Sequence, residues 1–199
     1  MKTLICHGDS LTAASDLERT IIWPSLVEKR LRLKIINSGI DGDTTGGLLS
    51  RFYPSVVQQH PDFVLIIGGT NDLWWDLDLN LIRANVFAMT CQAEHHAIVP
   101  IVGLPPPLVI ERARHQDFAA PDCGYEKCLA KLAELVKALA MSAQQNEIAC
   151  LDFYHSFFDE TGAVQDSYFL EDGLHPNEAG HQLMAQKTVK LLQRQFNFS

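Results

Sequence analysis

Short apolar runs recur along the chain and alternate with longer amphipathic stretches. Five runs are rich in Ile, Val and Leu with little polar alternation, and they lie at residues 3–7, 34–37, 63–67, 98–102 and 148–152. Parallel strands that are covered on both faces have this pattern. We therefore predict five buried strands.

Helical spacing fills the stretches between these runs. In residues 125–143, apolar side chains recur every three or four positions, and Lys127, Lys131 and Glu134 fall on the opposite side. Four further helices are predicted at residues 23–33, 45–59, 79–96 and 176–195. This alternation predicts an α/β fold, a three-layer α/β/α sandwich with a mostly parallel five-stranded sheet.

The length, net charge and apolar content of the chain exclude several classes of protein. The chain has 199 residues and a net charge of −8, and 47% of its residues are apolar. This length fits a single domain over residues 1–199. An acidic chain lacks the basic face that nucleic acids require. No apolar run is long enough for a membrane-spanning helix, so no integral membrane segment is expected.

The cysteines and the first residues indicate the compartment. Five cysteines, an odd number without a C-x-x-C pair, are typical of a reduced intracellular protein. The apolar run at residues 3–7 is too short for a signal peptide. We therefore expect a cytoplasmic protein.

Three loops that follow predicted strands contain groups suited to acyl transfer. Ser10 follows the first strand, where Gly8 allows a sharp turn. The glycine-rich residues 39–47 follow the second strand, and glycine lets a backbone N–H approach a ligand closely. Asn71 follows the third strand and is a neutral donor for a developing oxyanion. Each loop taken alone is also typical of an ordinary turn. Ligands of such sandwiches bind at the carboxyl ends of strands, where these loops meet.

A fourth loop precedes the last predicted helix and holds Asp172 and His175. Gly173 allows a turn that would bring the carboxylate to one imidazole nitrogen. Such a carboxylate fixes the tautomer and leaves the other nitrogen free as a base. The alternative is a solvated start of the helix with His175 at its cap. Nucleophile, base, orienter and oxyanion donors together are the parts that acyl transfer needs.

In their order along the chain, these motifs resemble the SGNH hydrolases, also called the GDSL esterase/lipase family. Ser10 matches the first block of the family, Gly42 the second and Asn71 the third. Asp172 and His175, in Asp-x-x-His spacing, match the last. The resemblance covers nearly the whole chain. It implies a flavodoxin-like sandwich and an esterase that uses neither a metal nor a cofactor.

The resemblance also implies a role for each residue. Ser10 would attack the ester carbonyl, His175 would move the proton, and Asp172 would hold the imidazolium. The backbone N–H groups of Ser10 and Gly42 and the side-chain amide of Asn71 would hold the oxyanion. In the second block Gly39 is the alternative to Gly42, and the Gly-Asp-Thr-Thr sequence fits the family's loop better at Gly42.

Four side chains are candidates for substrate contacts, namely Trp74, Trp75, Leu108 and Leu174. Leu108 lies in a proline-rich stretch, residues 104–124, that shows no helical or strand period. Long stretches of this kind are often functional lids.

The expected partner is a small-molecule ester with a short to medium acyl chain. The same triad would serve a lysophospholipase, a thioesterase, a carbohydrate O-deacetylase or an acyltransferase. A nucleotide- or flavin-binding protein of flavodoxin-like fold is a different class, and only the glycine-rich loop favours it. That loop follows the second strand, and no G-x-x-x-x-G-K-[ST] motif is present. A non-catalytic binding module would be indicated by loss of a triad member, and none is lost.

Overall fold

A single parallel sheet organises the molecule, which is described by a computed structural model over residues 1–198. Its spatial order is β2-β1-β3-β4-β5. The strands are β1 (Lys2–Gly8), β2 (Leu33–Gly39), β3 (Phe63–Ile67), β4 (Val99–Leu104) and β5 (Ala149–Asp152). All four neighbouring pairs are parallel, so each connection must cross back over a face of the sheet.

Helices make these crossings and cover both faces. They are α1 (Ser10–Ala13), α2 (Trp23–Arg30), α3 (Thr45–Ser55), α4 (Thr70–Trp74), α5 (Leu79–His95), α6 (Ile110–Ala113), α7 (Tyr125–Gln145) and α8 (Glu178–Phe196). One apolar core lies between the sheet and α3, α5 and α7, and a second lies between the sheet and α2 and α8. Alternate residues of β3 enter the two cores, Val64 the first and Leu65 the second. The predicted α/β/α sandwich is confirmed.

The register of the sheet aligns the carboxyl ends of three strands. Gly8, the last residue of β1, pairs with Gly39 of β2 and with Ile67 of β3. The loops that follow these strands therefore leave the sheet at the same level, along one edge. This register brings the serine loop, the glycine-rich loop and the asparagine loop together.

The elements depart from the sequence prediction in several places. The helix predicted at residues 45–59 ends at Ser55 and is followed by a separate 3₁₀ helix, Val57–Gln59. The second helix ends at Arg30, because Leu31 and Leu33 are buried while Arg32 and Lys34 are exposed, an alternation of period two that leads into β2. Three helices of four or five residues, α1, α4 and α6, were not predicted. They are too short for a helical period of apolar residues to be visible in the sequence.

Candidate active site

Ser10 is the first residue of α1 and stands directly above the end of β1. Asp9 caps this helix, and its Oδ1 accepts a hydrogen bond from the backbone N–H of Leu11 at 3.0 Å. The turn needs a residue without a side chain at Gly8, since a Cβ there would lie 2.8 Å from the carbonyl oxygen of Ile67. The short strand-to-helix turn thus presents the serine at the sheet edge.

A chain of hydrogen bonds joins Ser10, His175 and Asp172. The Nε2 atom of His175 lies 2.8 Å from Oγ of Ser10, and its Nδ1 lies 2.6 Å from Oδ2 of Asp172. The other oxygen of Asp172 accepts from the backbone N–H groups of Leu174 and His175, at 2.8 Å and 3.0 Å. A carboxylate accepts from Nδ1–H, so Nε2 is left as the acceptor for the serine hydroxyl.

Hydrogen bonds from the segment 104–124 hold the loop that contains Asp172 and His175. The backbone N–H of Val109 donates to the carbonyl of Gly173 at 2.8 Å. Gly173 has a φ of +69°, and a Cβ there would lie 2.3 Å from the carbonyl oxygen of Val109. Arg112 of α6 donates to the carbonyls of Phe169 and Leu170. The Asp172–His175 turn is therefore packed against the rest of the fold.

Burial and charge act in opposite directions on His175. Burial lowers its pKa, but the hydrogen bond and the negative charge of Asp172, with smaller contributions from Asp16 and Asp9, outweigh burial and raise the pKa above its ordinary value. The pKa of Asp172 is also affected by burial, which raises it, but the hydrogen bonds from His175 and Leu174 leave it below the usual range. Asp172 is thus held ionised beside an imidazole.

Asp9 is a second buried carboxyl group at the site, which the sequence reasoning did not single out. Its side chain is buried, and its Oδ2 has no hydrogen-bond partner within residues 1–198. Burial raises the pKa of Asp9 to about 7. The signal in the sequence was an Asp directly before a serine and an apolar residue, which is also an N-cap pattern.

The asparagine loop and the glycine-rich loop are tied together. The side-chain amide of Asn71, on α4, donates to the carbonyl of Asp43 at 2.9 Å. Its neighbour Asp72 is buried and accepts from the backbone N–H of Thr45 at 2.8 Å and from the hydroxyl at 2.5 Å. Gly42 lies in the exposed turn next to Asp43, with a φ of +74°. The structure thus places Asn71 against the turn that contains Gly42.

Gly39 has a different environment from Gly42. It is the last residue of β2, and a Cβ there would lie 2.2 Å from the backbone nitrogen of Ala13 in α1. The absence of a side chain at Gly39 therefore permits the close approach of α1 to the sheet.

A cavity of about 280 Å³ opens beside Ser10, Asn71 and His175. The side chains of three predicted contact residues, Trp74, Trp75 and Leu174, line it. Leu108 does not: it is buried in the apolar core beneath α7 and packs with that core instead. The remaining lining residues are Asp9, Leu11, Thr70, Phe118, Ala119, Ala120 and Asp122. Gly42 does not line the cavity. Its neighbour in the chain, Asp43, accepts a hydrogen bond from the lining residue Asn71.

The segment 104–124 forms one wall of this cavity. The indole N–H of Trp74 donates to the carbonyl of Ala119 at 2.9 Å, and the backbone N–H of Asp122 donates to the carbonyl of Trp74 at 2.9 Å. The ring of Phe118 meets that of Trp74 edge-on, with centroids 5.8 Å apart. The segment contains α6 and is hydrogen-bonded on both sides of the site. Phe118 was not predicted as a lining residue, because a single aromatic residue in a polar stretch gives little signal in the sequence.

Among residues 1–198, no group of three or more His, Cys, Asp or Glu side chains is arranged to hold a metal ion. No helix in this range is long and apolar enough to cross a membrane. The five cysteines are unpaired.

Comparison with known proteins identifies the family of this chain. The model of the GDSL-like Lipase/Acylhydrolase family matches residues 6–183. An arylesterase of Vibrio mimicus is 28% identical over 202 residues, covering 95% of this chain and 89% of its own length. An acetylxylan esterase of Geobacillus stearothermophilus is 26% identical over 172 residues, covering 82% and 74%.

Solved structures share the fold. The lipase/acylhydrolase from Enterococcus faecalis superposes with a TM-score of 0.81 at 22% identity, covering 100% of this chain and 98% of its own. A member of the lipolytic protein G-D-S-L family from Veillonella parvula gives a TM-score of 0.80 at 22% identity, covering 98% and 100%. With a family match over most of its length and the same sandwich, this chain belongs to the GDSL-like lipase/acylhydrolase family.

Proposed function

We propose that the protein is a serine esterase that hydrolyses small carboxylic esters through an acyl-enzyme on Ser10. The observation that carries this proposal is the continuous hydrogen-bonded chain from Asp172 through His175 to Ser10, which ends at the wall of a cavity. Nucleophile, base and orienter in hydrogen-bond contact are the arrangement that activates a serine hydroxyl. The esterase names of its relatives support the same chemistry.

The proposed reaction has two steps. Ser10 Oγ bonds to the ester carbonyl carbon as its proton passes to Nε2 of His175, and collapse of the tetrahedral intermediate releases the alcohol with that proton. Water then attacks the acyl-enzyme in the same way, gives its proton to His175, and releases the acid and the serine. Asp172 stabilises the imidazolium in both steps. The backbone N–H groups of Ser10 and Gly42 and the amide of Asn71 are the proposed donors to the oxyanion.

The cavity indicates the kind of ester. At about 280 Å³ it is at or below the small end of ligand pockets, so a short to medium acyl or aryl group fits and a long chain does not. Its walls are largely aromatic and small apolar residues. Its titratable lining residues are His175 and the acids Asp9 and Asp122, and no Lys or Arg among residues 1–198 lines it. A neutral ester is therefore favoured over an anionic one such as a coenzyme A thioester.

Replacement of the serine tests the mechanism. We expect Ser10→Ala to lower turnover by about 10⁴–10⁶-fold without loss of the fold. A fluorophosphonate probe should label the wild type on Ser10 and leave the variant unlabelled. Full ester hydrolysis by a folded Ser10→Ala variant would exclude the proposed nucleophile.

A substrate panel tests the assignment of the cavity. We expect p-nitrophenyl acetate to octanoate to be cleaved faster than the palmitate, and neutral thioesters faster than coenzyme A thioesters of the same acyl length. Rates that rise steadily with chain length and increase above the micelle threshold would contradict a small acyl site.

We also propose that the protein acts in the cytoplasm, a reducing compartment in which the five unpaired thiols remain stable. Fractionation of the source cells tests this, and recovery of the activity outside the cytoplasmic fraction would exclude it.

A further inference from the structure

We propose that Arg51 is a positioning residue, which holds the Gly42–Asp43 turn in place for the oxyanion. This inference rests on the proposed function, because it concerns the same site. Arg51 does not line the cavity, so any effect of this residue on catalysis is indirect and passes through the groups that it contacts.

The guanidinium of Arg51 joins three parts of the sheet edge. Its Nε lies 2.7 Å from Oδ2 of Asp43, with the two side chains 16% and 12% exposed. Its Nη1 donates to the carbonyl of Ser38 at 2.9 Å, and its Nη2 donates to the carbonyl of Gly8 at 2.9 Å. The carbonyls belong to the ends of β2 and β1, so the ion pair fixes Asp43 relative to the strand that carries Ser10.

A buried histidine completes the surroundings of this arginine. The Nε2 atom of His7 lies 3.0 Å from the carbonyl oxygen of Leu48, which can only accept, so Nε2 carries the hydrogen. Its Nδ1 is then an acceptor and faces Nη1 of Arg51 at 3.3 Å. Burial lowers the pKa of His7 to about 4, with the positive charge of Arg51 as a smaller cause. His7 is therefore neutral near pH 7 and does not compete for the carboxylate of Asp43.

The sequence of α3 leaves space for the pair. Gly47 and Arg51 are four residues apart on one face of α3, and Asp43 lies just before the Thr44 cap of this helix. A Cβ on Gly47 would lie 1.8 Å from Oδ1 of Asp43, so any side chain there displaces the carboxylate. The adjacent Gly46 is exposed, and a Cβ there would meet nothing closer than 3.7 Å.

The pair acts on the proposed oxyanion donors through the backbone. Asp43 follows Gly42 directly, and its carbonyl accepts the hydrogen bond from the amide of Asn71. A carboxylate that loses its guanidinium is partly buried without a counter-charge, and it gains hydration by moving outward. That movement would shift Gly42 and the partner of Asn71 together. Misplacement of catalytic groups by about 1 Å can cost about 10²-fold in rate.

Two variants and a matched control test the proposal. Gly47→Ala displaces the carboxylate without altering Arg51, and Gly46→Ala adds the same methyl group to the same helix where there is space. Arg51→Lys keeps the charge but loses the planar fork that reaches three acceptors. We expect Gly47→Ala and Arg51→Lys to lower kcat by about 10–100-fold with KM nearly unchanged, and Gly46→Ala to match the wild type.

The pH profile separates positioning from an electrostatic effect on the base. Since neither variant touches His175, its ionisation in kcat/KM should stay where it is in the wild type. Equal kcat values for Gly47→Ala and Gly46→Ala would overturn the proposal, as would a shift of that ionisation. Replacement of Gly by Ala within a helix favours the helix, so we expect Gly47→Ala to fold. Its kcat therefore tests the proposal even if Arg51→Lys fails to fold. A wild type without esterase activity would instead contradict the proposed function itself.

Discussion

The molecule has two Asp-x-x-His pairs, Asp152–His155 at the end of β5 and Asp172–His175 before α8. Their local geometry is nearly the same. Nδ1 lies 2.7 Å from the carboxylate in the first pair and 2.6 Å in the second. In each pair the other carboxylate oxygen accepts from the backbone N–H of the histidine, at 2.9 Å and 3.0 Å.

The surroundings of the two pairs differ. The side chains of His155 and Asp152 are 68% and 44% exposed, whereas those of His175 and Asp172 are 29% and 23% exposed. The serine next to the first pair, Ser156, donates to the backbone carbonyl of Asp152 and not to the imidazole. The first pair faces an open cleft lined by Lys187, Lys190 and Arg194. Local hydrogen bonds therefore orient the imidazole in both pairs. His175 also contacts the hydroxyl of Ser10, which comes from a distant loop.

We expect the two pairs to differ most in the effect on activity of replacing their histidines. We expect His175→Ala to lower kcat/KM by about 10⁴–10⁶-fold, because Ser10 loses its base, and His155→Ala to stay within about twofold of the wild type. Hydrolysis of p-nitrophenyl acetate by the purified variants measures both. A large loss in His155→Ala would remove the functional distinction between the pairs.

Replacing the carboxylates should give the same contrast between the two pairs, with a smaller loss of activity. Asp172→Asn keeps the shape but favours the wrong tautomer of His175, and we expect about a 10⁴-fold fall in kcat. Asp152→Asn is the matched control and should have little effect. If the two amides behaved alike, the orientation of His175 by Asp172 would not be what activates the serine.

The proposed oxyanion donor Asn71 lines the same cavity as His175 of the second pair. We expect Asn71→Ala to lower kcat by about 10²–10³-fold, with a smaller change in KM because the ground-state carbonyl gains less from the donor. Steady-state kinetics on one soluble ester are sufficient. An unchanged kcat would place Asn71 outside the reacting centre.

The pH dependence of kcat/KM is a further test, and below the pKa of the base we expect kcat/KM to change by about tenfold per pH unit. His175 must be neutral to accept a proton, and its pKa is raised, so kcat/KM should increase with pH through an ionisation above the ordinary value of about 6.5. His155→Ala should leave this ionisation in place. Asp9, whose pKa burial raises to about 7, is a second titratable group at the site in that range.

Asp9→Asn distinguishes the two groups, because asparagine also caps a helix well. An ionisation that disappears in this variant belongs to Asp9 and not to His175.

Stability should show the smallest effect. The Asp152–His155 pair is largely exposed, so we expect His155→Ala to change the free energy of unfolding by less than about 1 kcal/mol. Urea denaturation at neutral pH measures this change. A loss of several kcal/mol would mean that the exposed pair supports the fold.

Three features show which details of the structure could be predicted from the sequence. The strand at residues 63–67 was predicted at its full length, because a strand buried on both faces is apolar at every position. The helix over residues 125–143 extends to Gln145, since its polar last turn adds no apolar position to the pattern. Leu108 was expected in the pocket and is buried, because nothing in a proline-rich stretch shows which way each side chain faces.

The sequence by itself determined the alternation of strands and helices, and with it the sandwich. It also determined the turns whose hydrogen bonds span two or three residues, such as the cap formed by Asp9 and both Asp-x-x-His pairs. Such bonds depend only on local backbone geometry.

The tertiary structure decided which histidine meets a serine, since Ser10 and His175 are 165 residues apart in the chain. It also decided that Arg51 reaches Asp43 and two strand ends, and that burial raises the pKa of Asp9. These properties depend on the sheet register and on helix packing, through which distant parts of the chain come into contact and exclude water.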